Sequence, residues 1–312
     1  MMGIVLIHAF GHGSKQNIDW IYSLGETWSS SYHLSLFALG KVGVTGFMFI
    51  SGYYGVKFNL KKIIELLIML LVYATIVELI EGNGLYSIFM NVFHPWEGWW
   101  FVKCYLFICF ISPLLNKGIS LLSKKEFQII IILLILYQYL GNFLLRSNSH
   151  DTEFLLTVFL IARYLKLYPL PYINDRSLIV CISVLTLVLF FFPILIIRLT
   201  HSSKLLSIFL QNNCIVILLF TASLVILLDR KAFNCGFVNW LCSSTLAIYL
   251  ITDSGLREVF DPWLLSKIIS SPIIGYGLLI LICISCLFID KVRGFICKPI
   301  VSLLDRRCQR VQ

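Results

Sequence analysis

Ten apolar segments follow one another along the chain, and they restrict it to the folds that a lipid bilayer allows. The hydrocarbon core of a bilayer is about 30 Å thick, so a spanning helix needs roughly 20 apolar residues, whereas a membrane β-strand needs only about ten. Most of the segments exceed the length of such a strand. Backbone groups in lipid must be hydrogen-bonded within the chain, so we predict that the segments are helices. They cover residues 1–10, 34–54, 63–80, 99–115, 127–145, 154–168, 178–197, 208–228, 237–251 and 273–289.

The composition agrees with a chain surrounded by lipid. Of the 312 residues, 59% are hydrophobic and 13% are charged, and the mean hydropathy is +0.89. Soluble domains contain about 25% charged residues. We therefore predict an all-α, polytopic integral membrane helix bundle of about ten transmembrane helices. The loops are short, so residues 1–312 are expected to form a single transmembrane domain.

The net charge of +9 is best explained by membrane topology. Lys and Arg accumulate in cytoplasmic loops and face anionic lipid headgroups there. With the start of the chain inside, 16 of the 25 Lys and Arg residues fall on the inner side and 7 on the outer side. Both termini are therefore predicted to be cytoplasmic. The sequence contains no nucleic-acid-binding motif, so nucleic acid is not expected as a partner.

The ten cysteines lie mostly inside apolar segments, where Cys behaves as a small hydrophobic residue. Cys283 and Cys286 form a CxxC pair, but no His or second CxxC lies nearby. We interpret the pair as packing and expect no metal cofactor.

The first apolar segment is too short to cross a bilayer. Ten residues of helix span about 15 Å, which is half of the hydrocarbon core. Either this helix enters the bilayer only halfway, or it is truncated and upstream residues are missing, and we expect the second.

His8 is the first candidate for chemistry, because it lies in the apolar stretch GIVLIHAF. An ionisable residue inside a membrane segment is a functional candidate. The unperturbed pKa of His is near 6.5, which suits a general base. An interfacial His at a helix end, with His12 close by, is the alternative interpretation.

Two basic residues also fall inside spans. Lys41 lies roughly 10 Å into the second span by helical rise and needs a carboxylate, a bound anion or a water-filled cavity. We expect its side chain to face the bundle interior. Arg163 lies in ARYLKLY, close enough to the inner end of its span to reach the interface. Trp96, Trp99 and Trp100 form a cluster that is typical of the aromatic belt at a membrane surface.

Several pieces of the chain together resemble the acyltransferase 3 family of bacterial membrane proteins. The first apolar segment contains a His, and GKVGVTGFMFISGYYGVKFNLKK resembles the Phe-rich SGY segment of the family with its basic loop. WWFVKCYLFICFISPLLN, ARYLKLYP, SSTLAIYLITDSGLREVF and IDKVRGFICKPI are similar to later segments, in the same order. The resemblance covers nearly the whole chain.

The resemblance implies an acyl-CoA-dependent O-acyltransferase of the inner (plasma) membrane. Such enzymes transfer an acyl group, usually acetyl from cytoplasmic acetyl-CoA, to a hydroxyl of a cell-envelope saccharide or lipid-linked acceptor. His8 matches the catalytic His of the family, whereas the Arg that precedes it by about ten residues would fall before Met1. We expect His8 to be the general base and Lys41 and Arg163 to bind acetyl-CoA. An oligomer is compatible with this architecture.

Two other functions are compatible with the sequence. A transporter or flippase of an envelope precursor would also carry charges inside its spans, although the chain shows no internal repeat. An inactive membrane scaffold would follow if the start of the first helix, with its Arg, is missing. Consumption of a thioester distinguishes the enzyme from both.

Overall fold

A computed structural model describes residues 2–14, 22–24, 28–82, 86, 99–145, 152–231, 235–254 and 256–308. Within these ranges the regular structure is entirely helical, as predicted. The principal helices are α1 (Met2–Gly11), α2 (Trp28–Gly40), α3 (Val42–Tyr54), α4 (Leu60–Glu81), α5 (Trp100–Leu121), α6 (Lys124–Leu145), α7 (Thr152–Leu167), α8 (Asp175–Thr200), α9 (Ser203–Phe209), α10 (Ile215–Arg230), α11 (Gly236–Cys242), α12 (Thr245–Thr252), α13 (Arg257–Ser270) and α14 (Pro272–Cys308).

Five of the described helical segments are long and apolar enough to cross a membrane, so the predicted count of about ten is not confirmed. They are Ser31–Tyr54, Leu60–Glu81, Trp100–Leu121, Asp175–Thr200 and Pro272–Pro299. Met2–Gly11 and Gly236–Thr252 are shorter apolar helical segments. The short first helix agrees with the predicted one.

Some predicted spans are interrupted by polar residues. Segment 208–228 divides into α9 and α10 around a turn that contains Asn212 and Asn213, both buried. Thr45 donates a hydrogen bond to the carbonyl of Asn212, which ties this turn to α3. Segment 237–251 divides into α11 and α12 at Ser243 and Ser244. Serine and asparagine favour such breaks because their side chains compete for backbone hydrogen bonds.

The chain divides into two compact units, and the first comprises residues 1–16, 59–100 and 234–312. In this unit α1 packs against α12, α13 and α14, and α4 packs against α12 and α14. The buried hydroxyl of Tyr73 on α4 donates a hydrogen bond to Asp290 on α14, which also pairs with Arg293. This polar contact fixes the register between two otherwise apolar helices.

The second unit comprises residues 17–58 and 101–233. Here α3 packs against α7 and α10, and α8 packs against α2 and α10. Gly52 allows the closest of these contacts, because a Cβ at this position would lie 2.7 Å from the Cα of Phe159 on α7. Small residues at helix contacts are typical of membrane bundles, since they let two backbones approach.

Candidate functional site

His8 lies on the last turn of α1 and is buried, with 7% of its surface exposed. Its Nδ1 is 2.9 Å from the hydroxyl oxygen of Thr252, the last residue of α12. The two residues are 244 positions apart in the sequence, so the packing of α1 against α12 creates the contact. The ring of His8 also lies beside Tyr249, with 5.7 Å between the ring centroids.

The hydrogen bonds of Thr252 determine which nitrogen of His8 carries the proton. The Thr252 hydroxyl donates its only hydrogen to the carbonyl of Ile248, at 2.8 Å. With that hydrogen donated, the hydroxyl oxygen can accept from Nδ1 of His8, so the tautomer with its proton on Nδ1 satisfies both contacts. Nε2 of His8 keeps its lone pair, which is the electronic state that a general base requires.

Asp253 follows Thr252 directly and places a buried carboxylate near His8. Its Oδ1 lies 3.3 Å from Nε2 of His12 and 2.9 Å from Nη1 of Arg257, which donates a hydrogen bond to it. Burial raises the pKa of the Asp253 carboxyl, but the hydrogen bond from His12 and the positive charge that His8 carries when it is protonated outweigh this and lower it to about 2. Asp253 is therefore an anion throughout the physiological pH range.

Asp261 is a second buried carboxyl, one turn past the start of α13, and only 1% of its surface is exposed. Neither of its side-chain oxygens has a hydrogen-bond partner among the described residues. Burial and the nearby charge of Asp253 raise the pKa of Asp261 to about 7. The end of α1 is close to its backbone, because a Cβ at Gly13 would lie 2.8 Å from the carbonyl oxygen of Asp261.

Lys41 and Arg163 lie in the second unit, and the structure does not bring them together. Lys41 precedes α3 and is half-buried, with its ammonium 4.8 Å from the ring centroid of Phe37. No described carboxylate lies within 4 Å of this ammonium. Arg163 lies beside Gly55, just past the opposite end of α3. The thirteen residues of α3 between Lys41 and Gly55 span about 20 Å.

The side chain of Arg163 packs over a turn that only glycine accommodates well. Gly55 has a φ of 79°, and a Cβ there would lie 3.0 Å from Nη1 of Arg163. The Nε of Arg163 is buried without a hydrogen-bond partner among the described residues. Close by, Lys166 pairs with Asp229 at 2.9 Å, and Tyr53 and Tyr54 also donate hydrogen bonds to this carboxylate.

The aromatic-belt interpretation is wrong for Trp99. This residue is buried, with 5% of its surface exposed, and its indole nitrogen donates a 2.9 Å hydrogen bond to the carbonyl of Leu250 on α12. Trp99 therefore supports the helix that carries Thr252, rather than facing the membrane surface. Trp96 lies outside the described residues.

The sequence analysis identified His8 but missed the partners around it. Thr252, Asp253, Arg257 and Asp261 all follow the apolar run of α12 within ten residues. The signal that was available is the sudden return of polar residues in TDSGLREVFD. It does not reveal that these residues face the end of α1, because that pairing joins segments 244 positions apart in the sequence.

Comparison with known families identifies the family to which the chain belongs. The model of an acyltransferase domain, Acyl_transf_3, matches residues 1–290, which is most of the 312-residue chain. Comparisons with curated proteins and with solved structures gave no match. The matched region includes His8 and all of its described partners. The chain therefore belongs to the acyltransferase 3 family of multi-pass membrane acyltransferases.

Proposed function

We propose that the protein transfers an acyl group from an acyl-CoA to a hydroxyl group, with His8 as the general base. The observation that carries this proposal is the hydrogen bond between His8 and Thr252, which leaves the lone pair on Nε2 of a buried imidazole. Membership of an acyltransferase family supports the class of reaction. General-base catalysis typically contributes about a hundredfold to ten-thousandfold in rate.

The reaction has a simple balance of atoms. The acceptor hydroxyl oxygen attacks the thioester carbonyl, and Nε2 of His8 takes the hydroxyl proton as the C–O bond forms. The C–S bond then breaks, and the proton passes to the departing thiolate. The products are an ester and free CoA thiol.

Arg163 and Lys41 are proposed to bind the acyl donor. A guanidinium is suited to phosphate, because it offers several N–H donors in a planar fork. Arg163 has a buried Nε without a described partner, which supports an anionic ligand beside it. Since Lys41 lies about 20 Å away along α3, it would contact a different part of the same long molecule. We propose acetyl as the acyl group, in line with the family resemblance.

The acceptor is proposed to be a saccharide or lipid-linked saccharide of the cell envelope. We further propose that the protein lies in the inner membrane with both termini in the cytoplasm. The excess of Lys and Arg on the inner side of the predicted topology supports this orientation. Acyl-CoA approaching from the cytoplasm would meet this basic surface first.

Release of CoA thiol by the purified protein tests the proposal. The full chain in detergent would be incubated with acetyl-CoA and a panel of soluble saccharides, and thiol formation would be followed with a thiol-reactive dye. We expect thiol release that depends on the saccharide and produces an equal amount of ester. Transport of a labelled envelope precursor by protein in vesicles, without thioester loss, would instead favour the transporter interpretation.

A further inference from the structure

The end of α1 carries two histidines that the proposed acyl transfer uses only in part. His8 and His12 are one helical turn apart, and their ring centroids are separated by 5.5 Å. The turn continues the helix, because the amide of His12 donates a 2.8 Å hydrogen bond to the carbonyl of His8. Residues four apart on a helix lie on the same face. Both rings are therefore directed toward the same neighbour, Asp253.

We propose that His8, His12 and Asp253 form a binding site for Zn²⁺, and that the bound ion blocks His8. One ligand atom from each residue lies within 4.8 Å of the others. Two imidazoles and one carboxylate form a ligand set that binds Zn²⁺ in proteins. The ion would be a reversible inhibitor, so the proposal does not contradict the expectation that no metal cofactor is needed.

The distances are close to those that the ion requires. Bonds of about 2 Å in a tetrahedral zinc site place neighbouring ligand atoms about 3.3 Å apart. His12 Nε2 and Asp253 Oδ1 are already 3.3 Å apart. The most distant pair must approach by about 1.5 Å. His12 can supply this movement by rotating its ring, because 23% of its side chain is exposed.

Residues around the site form hydrogen bonds with its proposed ligands, as the residues that surround the ligands of metal sites do. Thr252 contacts Nδ1 of His8, and Nε2 is the nitrogen that we propose as the ligand of the ion. Arg257 fixes one oxygen of Asp253 by a 2.9 Å hydrogen bond. Such contacts determine the tautomer and direction of metal ligands.

Asp261 gives independent support for a cation here. Its carboxyl is 1% exposed, and neither oxygen has a hydrogen-bond partner among the described residues. It is near enough to Asp253 for their charges to interact. The ionised form of such a carboxyl is costly, and a divalent cation bound by Asp253 would offset that cost. Arg257 is the described guanidinium that interacts with both Asp253 and Asp261, so one positive charge faces two carboxyl groups.

Binding of Co²⁺ and Zn²⁺ to the purified full chain tests the site without relying on activity. Co²⁺ would be titrated into the protein in detergent while its visible absorption is recorded, and Zn²⁺ would then be added to displace it. We expect one equivalent of Co²⁺ with the spectrum of a nitrogen- and oxygen-ligated ion. His12→Ala removes a direct ligand, so it should weaken binding by at least the roughly tenfold that loss of a hydrogen-bond partner of a ligand causes.

His201→Asn is the matched control, because it removes a histidine that is exposed and lies outside the cluster. His201 has a φ of 48°, and asparagine tolerates this left-handed conformation. The control should bind Co²⁺ as the unmodified protein does. Binding that His12→Ala leaves unchanged, or no saturable binding at micromolar metal, would overturn the proposal. Thermal unfolding of each variant shows whether it is folded.

The inhibitory effect is measured separately, because it alone rests on the proposed function of His8. Micromolar Zn²⁺ should abolish CoA thiol release by the unmodified protein, and a chelator should restore it. His12→Ala should keep its rate in the same Zn²⁺ concentration. Zinc bound at this site without any loss of acyl transfer would refute the blocking and show that His8 is not the base.

Discussion

The hydroxyl oxygen of Thr252 lies 2.9 Å from Nδ1 of His8, and the hydroxyl donates its own hydrogen to the carbonyl of Ile248. This pair of contacts orients the buried ring of His8 and favours the tautomer with its proton on Nδ1. The account of the site depends on this relationship, since the lone pair on Nε2 is the group proposed to remove the acceptor proton. Thr252 is thus a positioning residue, and it acts through His8.

Replacing the Thr252 hydroxyl should therefore slow the reaction without removing the base. Thr252→Val keeps the shape of the side chain but leaves Nδ1 of His8 without its acceptor. A neutral hydrogen bond contributes about 1 kcal/mol, so we expect kcat to fall about fivefold. Thr252→Ser keeps the hydroxyl and should restore most of the rate. Equal rates for the Val and Ser variants would show that the hydroxyl does not position His8.

Arg163 should affect donor binding more than the chemical step. Charge-assisted hydrogen bonds contribute about 1.5–3 kcal/mol, so Arg163→Ala should raise the KM for acetyl-CoA at least about tenfold. The kcat should change little, because Arg163 is not proposed to touch the reacting atoms. Lys204→Ala, which removes an exposed cation, is the control. A lower kcat at unchanged KM would contradict the assignment of Arg163 to the donor.

The contact between α3 and α7 should tolerate no side chain at Gly52. A methyl group there would meet the backbone of Phe159, which cannot move as a flexible side chain could. Overpacking of this kind costs about 1–3 kcal/mol, and Gly52→Ala should lower the midpoint of thermal unfolding. Gly118→Ala is the matched control, because no atom lies within 4 Å of the new methyl group on α5. The control should be unchanged or slightly more stable, since alanine favours helix more than glycine does.

The carboxylate of Asp229 should contribute to stability in a pH-dependent way. Hydrogen bonds from Lys166, Tyr54 and Tyr53 lower the pKa of Asp229 below its ordinary value of 3.8. Because the pKa is lower in the folded state, the contribution is fully present above the ordinary pKa and is lost as pH falls through the lowered pKa. Asp229→Asn should thus lower the unfolding temperature by a few degrees near neutral pH, and the difference should shrink below about pH 4. A difference that stays constant down to pH 3 would contradict this account.

The long apolar runs made much of the helical architecture predictable. Leu60–Glu81 and Asp175–Thr200 extend the predicted segments by only a few residues at each end, since lipid leaves the backbone of such runs no alternative to helix. The sequence failed where polar residues fall inside or beside a run. The break at Lys41 and the helix Arg257–Ser270 were not predicted, because their apolar residues are interrupted by charged and small ones.

The candidate site shows the same limit. His8 could be chosen from its residue type, because a lone ionisable group in an apolar segment needs an explanation. Its partners could not be chosen, since the contact with Thr252 bridges 244 positions and no local pattern encodes it. His8 and Thr252 both lie in segments that resemble the family, but the resemblance does not show that the two residues are in contact.

The His8→Ala variant tests the central claim most directly. CoA thiol release would be measured for the purified variant and the unmodified protein at matched amounts, with His201→Asn as the control. Loss of a general base predicts a rate at least about a hundredfold lower for His8→Ala, whereas the control should be unchanged. The thermal midpoint of His8→Ala should lie below that of Thr252→Val, because His8→Ala loses the same hydrogen bond and also leaves a cavity at a buried position. A folded His8→Ala protein that releases CoA thiol at nearly the original rate would contradict the role of His8 as the base.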